Sequence, residues 1–149
     1  MITTRHIYIG SDHAGYALKQ YLLDAFKEKN FIDCGVYSDQ SSNYALVAHD
    51  VALKVKNDPK SVGIIICGTG IGVSIAANRH PGIRAALCHN ADTAKTARLH
   101  NDANILALGA RIVDEKTAFN CVKIFLDSPF EGGRHEERVS SIDYYGEKP

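Results

Sequence analysis

The chain has no C-x-x-C pair, no excess of either charge, no glycine-lysine-serine or glycine-lysine-threonine phosphate loop, and no apolar run of membrane-spanning length. Each absence closes a class of function. Lys+Arg and Asp+Glu balance at 17 each, so no global field draws the chain to nucleic acid or to an anionic membrane, and small molecules are the expected partners. The four cysteines, Cys34, Cys67, Cys88 and Cys121, form no disulfide framework, and three of them sit in apolar strand-like or helix-like contexts. That pattern suits a reducing compartment. Residues from Met1 run straight into a strand without an apolar signal core, so a cytoplasmic location is expected. Repeats and low-complexity stretches are also missing. With 149 residues, 45% of them hydrophobic, residues 1–149 are expected to form one domain with a substantial core.

Apolar periodicity alternates between strand and helix along the chain. Strands are predicted at 6–11, 31–35, 62–67, 84–89 and 103–108, with helices at 16–29, 46–56, 73–78 and 91–99 between them. A fifth helix, capped by Asp114, ends before Pro129, and a tail helix starts near Arg134. Five such repeats predict an α/β fold, a three-layer α/β/α sandwich around a five-stranded parallel, Rossmann-like sheet. Ligands of open parallel sheets bind beyond the C-terminal strand ends. The polar residues Ser11-Asp12-His13, Cys67-Gly68-Thr69-Gly70, His89-Asn90 and Gly109-Ala110-Arg111 fall at those ends.

The stretch Val62 to Gly72, VGIIICGTGIG, sets a thiol at the mouth of a buried-type strand before glycines 68, 70 and 72. Such a loop can turn sharply and offer N–H groups to phosphate, carboxylate or an enediolate. It is not a full G-x-G-x-x-G fingerprint, because the third glycine falls one residue early. Taken alone, Cys67 is as well explained as a small buried hydrophobe. Asp12 reads either as a helix cap or as an acceptor of a hydroxyl proton, and His13 as a titratable group or phosphate ligand. Thr69 can lend its hydroxyl to a ligand or to its own backbone. Arg111 reads equally as a cleft residue or a solvated charge. Arg134 and Arg138, four apart, share one helix face and can clamp a phosphate, although mixed charge of this kind is most often plain surface. His100 ends a helix that rises about 1.5 Å per residue, roughly 15 Å away from the strand ends. It is therefore either part of a helix C-terminus, with Asn101 in the left-handed conformation, or a residue serving another subunit. Cys67, Cys88, His13 and His89 show no zinc spacing, so no metal is expected.

In order along the chain, GSDHAG (10–15), CGTGIG (67–72) with AAN (76–78), HNDAN (100–104), GAR (109–111) and EGGRHEER (131–138) resemble the type B ribose-5-phosphate isomerases. These group with the subunits of galactose-6-phosphate isomerase. The resemblance spans nearly the whole chain. It implies an aldose-ketose isomerase that converts ribose 5-phosphate to ribulose 5-phosphate through an enediolate, without a cofactor. Cys67 matches the base that moves a proton between C1 and C2, and His100 the proton donor linked to ring opening. Asp12, His13, Gly68, Thr69, Gly70, Ile71, Gly72, Asn101, Arg111, Arg134 and Arg138 match substrate-binding positions. It further implies a homodimer or dimer of dimers with shared active sites and a C-terminal helix reaching the partner. One branch of the family uses a glutamate base where this chain has Val73, so the thiol branch is indicated. Asn43-Tyr44-Ala45 also departs from the Asp-Tyr-Pro of many relatives, leaving open how the loop holds Tyr44. A hexose-6-phosphate isomerase acting on allose or galactose 6-phosphate is the alternative within the class. Outside it stand a non-catalytic sugar-phosphate or nucleotide-binding module and a thiol redox sensor with Cys88 as resolving partner.

Overall fold

Strands β1 (Ile7–Ser11), β2 (Phe31–Asp33), β3 (Val62–Cys67), β4 (Ala85–Leu87) and β5 (Ile105–Gly109) form one parallel sheet in the order β2-β1-β3-β5-β4. The computed structural model describes residues 5–144; Met1 to Thr4, read above as leading into β1, lie outside the described residues, as do 145–149. Alternation along the strands assigns two cores to the two faces. Ile9, Ile64, Ile66, Leu106 and Leu108 pack beneath α1 (Tyr16–Ala25), α4 (Ala91–Asn101) and α5 (Glu115–Asp127). On the opposite face Ile65, Cys67, Ile105 and Ala107 pack beneath α2 (Tyr44–Lys56) and α3 (Ile71–Ala77). This is the three-layer arrangement expected. The last helix, α6 (His135–Asp143), packs on α4 of its own chain.

Caps set the helix starts where the sequence placed them. Asn90 and Asp114 accept backbone N–H bonds from Thr93 and Thr117 at 2.9 and 2.8 Å. Several boundaries differ by a few residues from the expected ones, and at two of them neighbouring side chains decide. Helix α2 begins at Tyr44, two residues early, because the Asn43 side chain accepts from Ala45 N–H at 2.9 Å. A proline at position 45 would have no such N–H to give. Helix α4 runs on through Asn101, and the left-handed residue is Asp102, at φ 46° and ψ 43°, rather than Asn101. The reason is a C-terminal lock: Ala103 N–H bonds Ala97 O at 2.9 Å, and Arg98 holds both the Asp102 carboxylate and Ala103 O. Lys19 is wholly buried, its ammonium donating to Asp33 Oδ1 at 2.7 Å and Val36 O at 2.5 Å. That pair ties α1 to the end of β2.

Candidate active site

The order of strands reverses direction between β1 and β3, and there the crevice at the C-terminal ends opens. Register puts Ser11 beside Ile66 and Cys67 beside Gly109, and Asp12 N–H bonds Ile66 O at 3.1 Å. Cys67 is thus flanked by the loops after β1 and β5. Asp12 is buried and its Oδ1 accepts from Gly15 N–H at 3.1 Å, closing the turn into α1 and leaving its second oxygen for other partners. The helix itself starts one turn later, with Gly15 at its N-cap. Asp12 therefore braces the turn that leads into α1 instead of capping the helix, with one carboxylate oxygen unspent by that bond.

Cys67 is 5% exposed, and its Sγ accepts the N–H of Gly70 at 3.2 Å. Gly70 turns the loop at φ 79°, a left-handed backbone that a side chain disfavours. Thr69 Oγ1 accepts Ile71 N–H at 3.2 Å, so its hydroxyl braces the loop. Among the described residues the N–H groups of Gly68, Thr69 and Gly72 find no acceptor. Three donors therefore remain unspent around the thiol. Arg111 lies over this loop: a methyl group built on Gly68 would stand 2.8 Å from its Nη1, and Arg111 N–H bonds Gly68 O at 2.9 Å. Tyr44 lies across Gly72 in the same way, its ring edge standing where a methyl built there would fall. The departure at Asn43-Tyr44-Ala45 thus still carries the ring to the loop. Val73 is fully buried in the core beneath α2, where it only packs.

Ser42 is a partner of His13 that sequence reasoning missed. Its hydroxyl accepts His13 N–H at 3.0 Å, and its own N–H donates to His13 Nδ1 at 3.1 Å. An Nδ1 that accepts leaves Nε2 carrying the proton of the neutral ring. His13 is thus held as a donor. A serine in a polar loop 29 residues away gives no local signal of this partnership.

The remaining cysteines are spectators. Burial pushes Cys34 and Cys121 up to about 11, and Cys88 upward too. Cys88 packs in the core under α4 and α5 with Cys121, while Cys67 faces α2 and α3. The sheet separates them, so Cys88 is not the resolving partner that a redox sensor would need.

A second cluster sits at the other end of α4. The imidazoles of His100 and His135 stack, with centroids 4.2 Å apart and planes 13° from parallel. Glu131 Oε1 lies 3.5 Å from His100 Nε2 and 3.4 Å from His135 Nε2. Burial first, then the nearby Arg134 charge, holds His135 below the ordinary imidazole value. Arg134 is the N-cap of α6 and, like Arg138 one turn on, is exposed, with no carboxylate partner among the described residues. Asn101 adjoins His100 at the rim of an open cavity of about 830 Å³ with Arg79, Arg84 and Ile142. The structure therefore brings Asp12, His13, Gly68, Thr69, Gly70, Ile71, Gly72 and Arg111 together with Cys67. It gathers His100, Asn101, Arg134 and Arg138 separately, one helix length away. The 11 residues of α4 carry His100 about 16 Å along the helix from the strand ends.

Comparison with known proteins bears on both halves. The family model for Ribose/Galactose Isomerase matches residues 7–142. A putative sugar phosphate isomerase of Rickettsia bellii is 47% identical over 142 residues, covering 94% of this chain and 99% of the relative. Ribose-5-phosphate isomerase B of Clostridium thermocellum superposes with a TM-score of 0.90 at 48% identity, covering 93% of this chain and 95% of that one. The Mycoplasma genitalium ribose-5-phosphate isomerase B, solved with bound ribulose-5-phosphate, has a TM-score of 0.89 at 42% identity and 95% coverage of both chains. A shared backbone, a match running through both clusters and identities above 40% leave one conclusion: the chain belongs to the ribose/galactose isomerase family.

Proposed function

We propose that the protein interconverts D-ribose 5-phosphate and D-ribulose 5-phosphate, the single domain 1–149 acting as a sugar-phosphate isomerase. The observation that carries this reading is the buried Cys67 thiol among unspent N–H donors at the sheet's switch point, in a chain whose relative holds ribulose-5-phosphate. The Cys67 thiolate takes the proton from C2 of the open-chain aldose and returns it to C1. Oxyanion charge develops on the sugar between these steps, and the N–H groups of Gly68, Thr69 and Gly72 are preorganised to receive it. Asp12 accepts from a sugar hydroxyl through its free oxygen, and His13 donates through Nε2. Binding energy collected at the phosphate by Arg134 and Arg138 holds C1 and C2 against the sulfur. His100 donates the proton that opens the sugar ring.

These roles need both clusters in one cleft, which a single chain does not supply. We therefore read the active unit as a homodimer or dimer of dimers, in which His100, Asn101, Arg134 and Arg138 complete the cleft around the other chain's Cys67, with α6 lying at the contact. Supporting this, Ile71 and Ile75 stand 52% and 58% exposed one turn apart on the helix that leaves the thiol loop, an apolar pair unusual beside a polar cleft. No helix among the described residues is long and apolar enough to cross a membrane, in keeping with a small-molecule enzyme of the cytoplasm.

Two measurements test the reading. Turnover of ribose 5-phosphate is compared with that of allose and galactose 6-phosphates; a strong hexose preference replaces the pentose assignment. Chains carrying Cys67→Ser and His100→Ala, each inactive alone, are then mixed. Shared sites predict recovery of part of the activity, and no recovery rejects them.

A further inference from the structure

Glu131 and His135 take no part in the proposed isomerisation, yet they converge on His100, which does. The ring nitrogens of His100 and His135 and a Glu131 carboxylate oxygen all lie within 4.8 Å of one another. Two of the separations, 3.5 and 3.4 Å, run from Glu131 Oε1 to His100 Nε2 and His135 Nε2. Ligands of a tetrahedral zinc ion at about 2.0–2.1 Å stand about 3.4 Å apart. His135 is 6% exposed, and its Nε2 is a buried atom with no hydrogen-bond partner. Buried polar atoms are rarely left in that condition, and a missing ion is one of the recognised reasons.

From this geometry we infer that His100, Glu131 and His135 form an inhibitory binding site for a divalent transition cation of the zinc class. Two imidazole nitrogens and a carboxylate are a borderline-soft set that favours zinc or cobalt over magnesium or calcium. Three protein ligands leave the fourth position to water. The two rings now lie nearly parallel, so their lone pairs do not yet converge. His135 is fixed by burial, whereas the His100 side chain is 40% exposed at the last turn of α4 and has room to swing out of the stack. Capture of the ion occupies the His100 nitrogen that would otherwise give its proton to the sugar. The inhibition rests on the role proposed for His100; the binding does not.

The two are measured separately on the intact protein. Calorimetric titration with zinc chloride alone should show one ion per chain, weakened on the order of tenfold or more in Glu131→Gln and in His135→Gln. Glu131 is largely exposed, so its variant keeps the test informative should the His135 variant misfold. Cobalt(II) should give visible bands of a tetrahedral nitrogen-oxygen site without the intense near-ultraviolet band of a cobalt-thiolate. No stoichiometric binding, unchanged affinity in Glu131→Gln, or a thiolate band placing the ion on a cysteine would each overturn the site. If binding behaves as stated, zinc should slow isomerisation reversibly, with chelator restoring it. The inhibitory concentration should rise in Glu131→Gln relative to that variant's own metal-free rate. Binding without inhibition keeps the site and refutes its inhibitory role through His100.

Discussion

Replacing Gly70 and Gly82 separately with alanine isolates what the thiol loop owes to close packing. Both residues have left-handed backbones, at φ 79° and 85°, so both variants carry the same conformational penalty of about 1–2 kcal/mol. They differ in what the added methyl meets. At Gly82 nothing lies within 4 Å, whereas at Gly70 it would stand 2.5 Å from Leu87 Cδ1, 2.9 Å from Leu108 C and 3.0 Å from Gly109 N. Leu87 can turn aside, but the β5 backbone cannot, since Gly109 pairs with Cys67 in the sheet. Overpacking of this kind adds about 1–3 kcal/mol, for a total of about 2–5 kcal/mol. At roughly 2–4 °C per kcal/mol for a chain of this size, Gly82→Ala should lower Tm by about 2–8 °C and Gly70→Ala by distinctly more. Scanning calorimetry reads the difference directly. Turnover should separate the pair as well, because relief at Gly70 displaces the N–H that reaches Cys67 Sγ, while Gly82 lies at the opposite strand ends. Equal Tm losses, or an equal fall in turnover, would refute the claim that backbone proximity shapes this loop.

Lys19→Met strands the partly buried Asp33 carboxylate without its cation. A cost of about 3 kcal/mol is expected in urea denaturation, at the lower end for a broken buried pair, with much of it recovered in Lys19→Met/Asp33→Asn; a loss under about 1 kcal/mol in the single variant contradicts the pairing. Ser42→Ala removes the acceptor of His13 N–H, costing about 1 kcal/mol and raising KM for ribose 5-phosphate more than it lowers kcat; unaltered kinetics would separate Ser42 from the site. His80, 2.7 Å from His49 Nδ1, is pushed below the ordinary 6.5 by burial first and then by His49 and Lys56. The unfolded chain therefore takes this proton first, so the group costs nothing above pH 6.5 and destabilises the fold as pH falls through and below that value. The stability difference between pH 7.5 and pH 5.5 should shrink in His80→Gln, and an identical difference would exclude His80 as its source.

Local chemistry carried much of the fold into readable form. Buried-type strands such as 62–67, the caps at Asn90 and Asp114, and the glycine-spaced turn after Cys67 all depend on residues within a few positions of one another. Element types followed, and with them the parallel sandwich and the end of the sheet where chemistry belongs. The resemblance drew on ordered motifs, and the family match runs through the same residues. Errors arose where side-chain contacts, near or far, decide the detail. Asp102, rather than Asn101, takes the left-handed position because Arg98 and Ala103 lock it there. Lys19 is singled out by no motif, and only the fold shows β2 placing Asp33 and Val36 around its ammonium.

What the sequence determined by itself is the set of parts: which residues are strands, which loop can cradle an anion, which side chains can move a proton. Only the tertiary structure decided their company. Strand order put β5 between β3 and β4, making Gly109 and Arg111 neighbours of Cys67 and leaving Cys88 behind the sheet. A helix of fixed rise then carried His100 away from the thiol and onto His135 and Glu131. Spacing along a chain is local and can be read from the residues. Adjacency across a sheet, or at the far end of a helix, is set by the packing of elements many residues apart, and no short stretch of sequence encodes it.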